Sequence, residues 1–231
     1  MSQSTDLFDA TPPESARAQA PFDDDRIARG RAIAKGGAAR GGVQMKCMAC
    51  HGLQGHGDGS VPRLAGLPYD YLARQITSFL DGSRPHEVMT PIASYLEAGE
   101  AADVLAYYAS RETPQIEAPR DLDWQLVSAG KVLAYAGRQM PDEGGGPEVT
   151  ACVMCHHAVG ELDDKAIAPP LAGQPAAYIE AQLEAWKTGD RSGGPLDVMS
   201  RIANALTEEE MAAVSAFYAS RNPAETATAD D

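Results

Sequence analysis

Positive charge is scarce in this chain: 19 Lys and Arg stand against 33 Asp and Glu, for a formal charge of −14. Nucleic acid is held by neutralising its phosphates with a basic face, so it is excluded as a partner class, and an anionic membrane surface with it. Complementary charge steers encounter, so a protein with a basic docking face is the expected partner. Long apolar runs are also absent. A spanning helix needs about 18 or more apolar residues in a row, and no such run occurs, so no transmembrane segment is expected in this chain. The first 25 residues are polar and acidic, without the basic and apolar regions of an export signal. Aromatics make up only 6%, with four Phe and two Trp. Two domains near the ~100-residue norm would have thin cores on that supply unless a large apolar cofactor filled them. Alternating apolar and polar runs, the mark of half-buried strands, are missing as well, which leaves an all-α fold.

There are four cysteines, and they fall in two identical frames. Cys47 and Cys50 read CMACH and end on His51; Cys152 and Cys155 read CVMCH and end on His156. C-x-x-C-H is the attachment motif for c-type haem. Cysteines three apart on one helical turn point the same way and reach the two vinyl groups of one porphyrin, and the next residue sets an imidazole on the iron. Structural zinc wants its C-x-x-C pairs some 15–20 residues apart, whereas these are 105 apart (47 to 152). A thioredoxin-type pair wants a βαβ setting, and a disulfide across either pair explains neither the histidine nor the repetition. The expected cofactors are two covalently bound haem c groups. Haem c is attached outside the cytoplasm, so the expected location is the periplasm, with a leader or anchor outside this sequence.

The repeat extends past the cysteines. Leu64-Ala65-Gly66 returns as Leu171-Ala172-Gly173, and Tyr71, Gln75 and Phe79 return as Tyr178, Gln182 and Trp186. After a short insertion Met89-x-x-Ile92-Ala93 returns as Met199-x-x-Ile202-Ala203, and Tyr107-Tyr108-Ala109-Ser110-Arg111 as Phe217-Tyr218-Ala219-Ser220-Arg221. A period this long is domain duplication rather than a solenoid. The expected organisation is an N-terminal disordered tail over 1–22, one domain over 23–113, a proline-bearing linker over 114–123, a second domain over 124–222 and a C-terminal tail over 223–231. Leu72, Ile76 and Phe79, like Ile179, Leu183 and Trp186, keep helical spacing and stop near Gly82 and Gly189, where glycine takes a left-handed cap. Earlier helices are expected over 25–36 and 124–137. Their Gly30 and Gly130 sit where a helix prefers alanine, which admits a closely crossing helix with an aromatic on top. Thr207 and Glu210 read as a capping box.

His51 and His156 are the proximal iron ligands on this reading. The group opposite decides the chemistry. An open position favours gas or peroxide chemistry, while a second strong ligand leaves electron transfer, and methionine with histidine raises the potential. Of eight methionines, Met48 and Met154 lie inside the attachment loops, Met45, Met140 and Met211 have no repeat partner, and only Met89 and Met199 recur in register. Met89 and Met199 are therefore the expected sixth ligands, with a repeated core methionine as the plain alternative and His86 as the rival at the first iron. His56 has no counterpart in the other half, and His157, adjacent to His156, reads as a surface or propionate contact. Pro62 and Pro169 supply carbonyls placed to accept the imidazole N–H, as ligating histidines require. Arg84 and Arg191 follow the middle helices and suit haem propionates.

These residues resemble the cytochrome c4 family, dihaem members of the class I cytochromes c, over about residues 25–221. The resemblance implies two tandem cytochrome c folds related by a pseudo-twofold axis, carrying electrons one at a time between redox proteins such as a dehydrogenase, a terminal oxidase or another cytochrome, with no catalytic residues of their own. The rivals are a dihaem enzyme acting on peroxide or thiosulfate and a dedicated subunit of a dehydrogenase or oxidase complex. A peroxidase leaves an iron open, and a thiosulfate site wants an axial cysteine, while all four cysteines here go to attachment. The sequence departs from the family in the glycine-rich stretches 36–42 and 144–147 and in His157, which stands where the first half has Gly52.

Overall fold

The computed structural model describes residues 22–38, 46–115, 122–138, 147–156, 168–194 and 197–223. The expected tails other than Phe22 and Pro223, residues 116–121 of the expected linker, and Met45, Met140 and His157 lie outside the described residues. Among the described residues every regular element is helical, and pairing of extended backbone is confined to two isolated bridges, Asp58 with Val61 and Arg138 with Val149.

The first half contains α1 (Asp24–Gly36), the attachment helix α2 (Cys47–His51), α3 (Tyr69–Asp81), the short α4 (Met89–Tyr95) and α5 (Ala98–Ala109). The second repeats the order with α6 (Trp124–Ala136), a single 3-10 turn (Cys152–Met154), α7 (Ala176–Thr188), α8 (Val198–Ala205) and α9 (Glu208–Ser220). The starts and stops follow local chemistry. Asp23 and Asp123 accept N–H groups of the first turns of α1 and α6. Gly82 and Gly189, at φ 79° and 82°, end α3 and α7 in the left-handed region, which glycine enters without a Cβ clash. The expected capping box of Thr207 and Glu210 opens α9, and Glu97 with Glu100 makes a second at α5.

In each half the first and last helices cross at a glycine. A Cβ on Gly30 would meet the Asp103 carbonyl and come within 2.7 Å of the Tyr107 Cβ; one on Gly130 would meet the Ala213 carbonyl and come within 2.9 Å of the Phe217 Cβ. The expected aromatics do sit on these glycines. The core of the first half gathers Leu72, Ile76, Phe79, Val104 and Tyr108, and that of the second Val127, Ile179, Leu183, Val214 and Tyr218. The expected second attachment helix is only a 3-10 turn. Gly52 closes α2 at φ 75°, ψ 156°, a region open essentially to glycine alone, and the second half has histidine at that place. The other difference is at the C-terminus: Pro223, assigned to the tail, is fully buried, and its neighbour Asn222 donates to the Gln115 side chain at 2.7 Å.

Candidate functional site

Each half brings one attachment cysteine and one in-register methionine to the same apolar cluster. Cys47 and Met89 pack on the first core, Cys152 and Met199 on the second. Cys50 and Cys155 are exposed, and all four thiols are free of disulfides. Burial pushes the Cys152 thiol up to about 11 and the Cys47 thiol in the same direction, so neither is poised as a thiolate for a soft metal. Among the described residues no group of three or more His, Cys, Asp and Glu side chains converges on a metal-sized point. Among those residues, then, no structural zinc site is formed.

The two histidines are held alike. His51 Nδ1 lies 3.0 Å from the Pro62 carbonyl oxygen and His156 Nδ1 2.7 Å from that of Pro169. A carbonyl only accepts, so the hydrogen sits on Nδ1 and the Nε2 lone pair is left for iron. Burial pushes His51 down, with the Pro62 carbonyl opposing, so its ring is neutral at pH 7 as a metal ligand must be. Met89 opens α4 and Met199 lies in the first turn of α8, both half-buried. His86 is exposed, and its Nδ1 accepts the backbone N–H groups of Val88 and Met89, each at 3.1 Å. It thus caps the turn that presents Met89. Met211 is a core filler, and Met154 is 65% exposed.

Arg84 and Arg191 come together at the contact between the halves. Arg84 donates to Gln75 at 2.8 Å, to Gln182 at 2.8 Å and to the Tyr178 hydroxyl at 3.0 Å. Arg191 donates to Gln182 at 2.7 Å and to Gln75 at 2.9 Å. Each glutamine thus accepts from one arginine of its own half and one of the other, and the cluster has the twofold pattern of the repeat. Both guanidinium groups are buried, and among the described residues neither forms an ion pair. Burial pushes Arg191 down, and the neighbouring charge of Arg84 adds to it. Burying charge without a counter-ion costs several kcal/mol. Two such cations beside each other, with the Trp186 ring centroid 3.9 Å from the Arg191 guanidinium carbon and the indole N–H of that ring buried and unpartnered, suit an anionic group. The donor set in each half, two thiols three apart, a tied imidazole and a thioether, together with this cationic seam, fits haem c with its propionates.

Two further residues join the halves. Arg63 is fully buried, its guanidinium donating to the Ala65 carbonyl of its own half and, at 3.1 Å, to the Ala172 carbonyl of the other. Gln174 faces it, taking the Arg63 N–H at 2.9 Å and returning an N–H to the Arg63 carbonyl at 3.0 Å. Sequence reasoning passed over both. The available signal was a mismatch inside an otherwise repeated stretch: Arg63 stands opposite Pro170, and Gln174 opposite Leu67.

Residues 28–111 and 146–221 each match the cytochrome c family. A protein of Thiomonas intermedia named thiosulfate dehydrogenase electron acceptor is 39% identical over 79% of this chain and 82% of its own length. Cytochrome c4 of Pseudomonas aeruginosa is 34% identical over 81% and 90%. Among solved structures, reduced cytochrome c4 from Pseudomonas stutzeri aligns with TM-score 0.69 at 27% identity, over 86% of this chain and 99% of that one. A thiosulfate dehydrogenase from Marichromatium purpuratum aligns with TM-score 0.74 at 40% identity, over 86% of this chain but only 41% of that longer one.

Proposed function

The chain belongs to the cytochrome c family, as a tandem pair of its domains with a covalently bound haem c in each, and from that membership we propose that it is a one-electron carrier taking electrons from a dehydrogenase and passing them to a further redox protein. The observation that carries this reading is the twice-repeated donor set: a tied histidine and an in-register methionine in each half, at His51 with Met89 and His156 with Met199. Bound haem iron supplies the chemistry, a change between ferrous and ferric with no bond to substrate.

The chain's own residues do the rest. Cys47 with Cys50 and Cys152 with Cys155 anchor the two groups. The Pro62 and Pro169 carbonyls fix the imidazole planes and raise their basicity. Met89 and Met199 would serve as the remaining iron ligands of the two haems, which would leave no free place for peroxide. Arg84 and Arg191 set positive charge against the propionates at the contact between the halves. The names of the thiosulfate dehydrogenase electron acceptor and of the longer thiosulfate dehydrogenase favour an enzyme of that class as the donor here. An axial cysteine of the kind thiosulfate chemistry wants is lacking in this chain, which supports the acceptor role over the enzymatic one. A net charge of −14 suits partners with basic docking faces, and haem attachment suits the periplasm.

The test is spectroscopic. The oxidised holoprotein is expected to show the weak near-infrared band of methionine-ligated iron for both haems. Met89→Ala and Met199→Ala are each expected to remove half of it, to lower one couple and to let one iron bind carbon monoxide. Two couples unchanged in both variants would defeat the ligand assignment. Rapid turnover of peroxide or thiosulfate by the purified protein alone would defeat the carrier reading.

A further inference from the structure

The peptide unit joining Pro62 to Arg63 is engaged at both ends. Its carbonyl oxygen accepts from His51 Nδ1 at 3.0 Å, and its N–H donates to the Gln174 side-chain oxygen at 2.9 Å. Gln174 belongs to the other half of the molecule and is itself buried, at 3% exposure. A continuous chain of hydrogen bonds therefore runs from the imidazole of the first half, through one peptide, to an amide of the second. The second half has no such chain. His156 Nδ1 bonds the Pro169 carbonyl at 2.7 Å, but the peptide that follows joins Pro169 to Pro170 and has no hydrogen to donate. The place opposite Gln174 is Leu67, buried in the first core. The repeat is broken at both positions this contact needs.

Hydrogen bonds in series polarise one another. When an amide N–H donates, electron density moves through the amide to its oxygen, which becomes a better acceptor. An imidazole whose Nδ1–H meets a better acceptor has a more basic Nε2, and a more basic axial nitrogen favours ferric over ferrous iron. Hydrogen bonding around the axial ligand is one of the ways a protein sets haem potential. We propose that Gln174 is a positioning residue for the first haem alone: through the Pro62–Arg63 peptide it strengthens His51 as a donor and draws the first couple below where its own half would set it. The inference rests on His51 and His156 being the iron ligands. The buried guanidinium of Arg63 acts in the opposite sense by favouring ferrous iron, but it is present with or without Gln174 and drops out of the comparison.

The experiment uses full-length holoprotein and Gln174→Leu, which gives the second half the residue its counterpart already has. The two couples are followed by NMR during a redox titration, the haems being told apart by cross-peaks to the β-protons of Cys47 and Cys152. The first haem is expected to become easier to reduce, its ferrous-to-ferric ratio at fixed poise rising roughly two- to fivefold for the loss of the one neutral hydrogen bond, of the two Gln174 makes to Arg63, that lies in line with His51, while the second barely moves. In the ferrous state the His51 Nδ1–H resonance is expected to shift upfield and that of His156 to hold still. A loosened interface alone would not select His51. Should Gln174→Leu fail to fold, Gln174→Glu gives up the N–H returned to the Arg63 carbonyl but keeps a stronger acceptor at the Arg63 N–H, so the His51 proton moves downfield and the His156 proton does not. An unmoved His51 proton, or both couples moving together, overturns the proposal and leaves the ligand assignment standing. His51 ring protons without hyperfine shift in the oxidised native protein would overturn both.

Discussion

His86 stands three residues before Met89 and, as an imidazole, competes with it on paper for the first iron. Its Nδ1 is taken up by the amides of Val88 and Met89, which makes it the acceptor that closes the start of α4. His86→Ala is therefore expected to keep both haems six-coordinate and both near-infrared bands in place. Losing such a cap costs about 1 kcal/mol, seen as a lower thermal midpoint of the first half. Disappearance of one low-spin haem instead would make His86 the ligand. Residues of this kind differ in how readable they are. Pro62 and Pro169 could be named from the sequence because the histidine and its acceptor lie a short loop apart and recur in both halves. Arg84 and Arg191 could be singled out by the same repetition, as candidates for the propionates, but the glutamines Gln182 and Gln75 to which they donate across the contact lie in the opposite halves, and no local pattern shows which residues meet across an interface. Gln174 was missed for that reason too.

The helix crossings explain why two glycines sit inside helices that would gain from alanine. Gly130→Ala adds helix propensity worth about 1 kcal/mol but drives a methyl into the Ala213 carbonyl and the Phe217 Cβ. Backbone cannot step aside as a side-chain tip can, so overpacking of about 1–3 kcal/mol or more is expected to win. Gly99, in the first turn of α5 with nothing within 4 Å of an added Cβ, is the matching control, and Gly99→Ala is expected to stabilise by about 0.4–1 kcal/mol. Urea denaturation of the two holoproteins checks both signs. At this scale the sequence was most readable. Helical periodicity, the glycine caps and the Thr207–Glu210 box placed both ends of α1 and α6, the C-terminal ends of α3 and α7 and the start of α9 within a residue or so. The second attachment segment was not readable as a 3-10 turn, because the motif specifies where the sulfurs must point and leaves the helix type to whatever follows, here a histidine in place of Gly52.

Across the whole molecule the formal charge of −14 sets the terms of encounter. Association with a basic redox partner is expected to slow steeply as ionic strength rises, and exchange with an acidic one to quicken. Stopped-flow reduction at about 10 mM and at about 0.15 M salt, where the screening length falls from about 30 Å to about 8 Å, separates the two cases; a rate indifferent to salt would remove charge from the account of docking. The twofold organisation was readable from the repeat, but its imperfection matters as much. Two first halves set face to face would offer Leu67 to the Arg63 N–H, and two second halves would offer Gln174 to a proline nitrogen with no hydrogen. Neither pairing of like halves would reproduce the Arg63–Gln174 contact, so at this point of the seam the two units are not interchangeable. Because Arg63 and Gln174 differ from their counterparts Pro170 and Leu67, that contact needs one half of each kind, and a single tandem chain delivers them in a fixed one-to-one ratio.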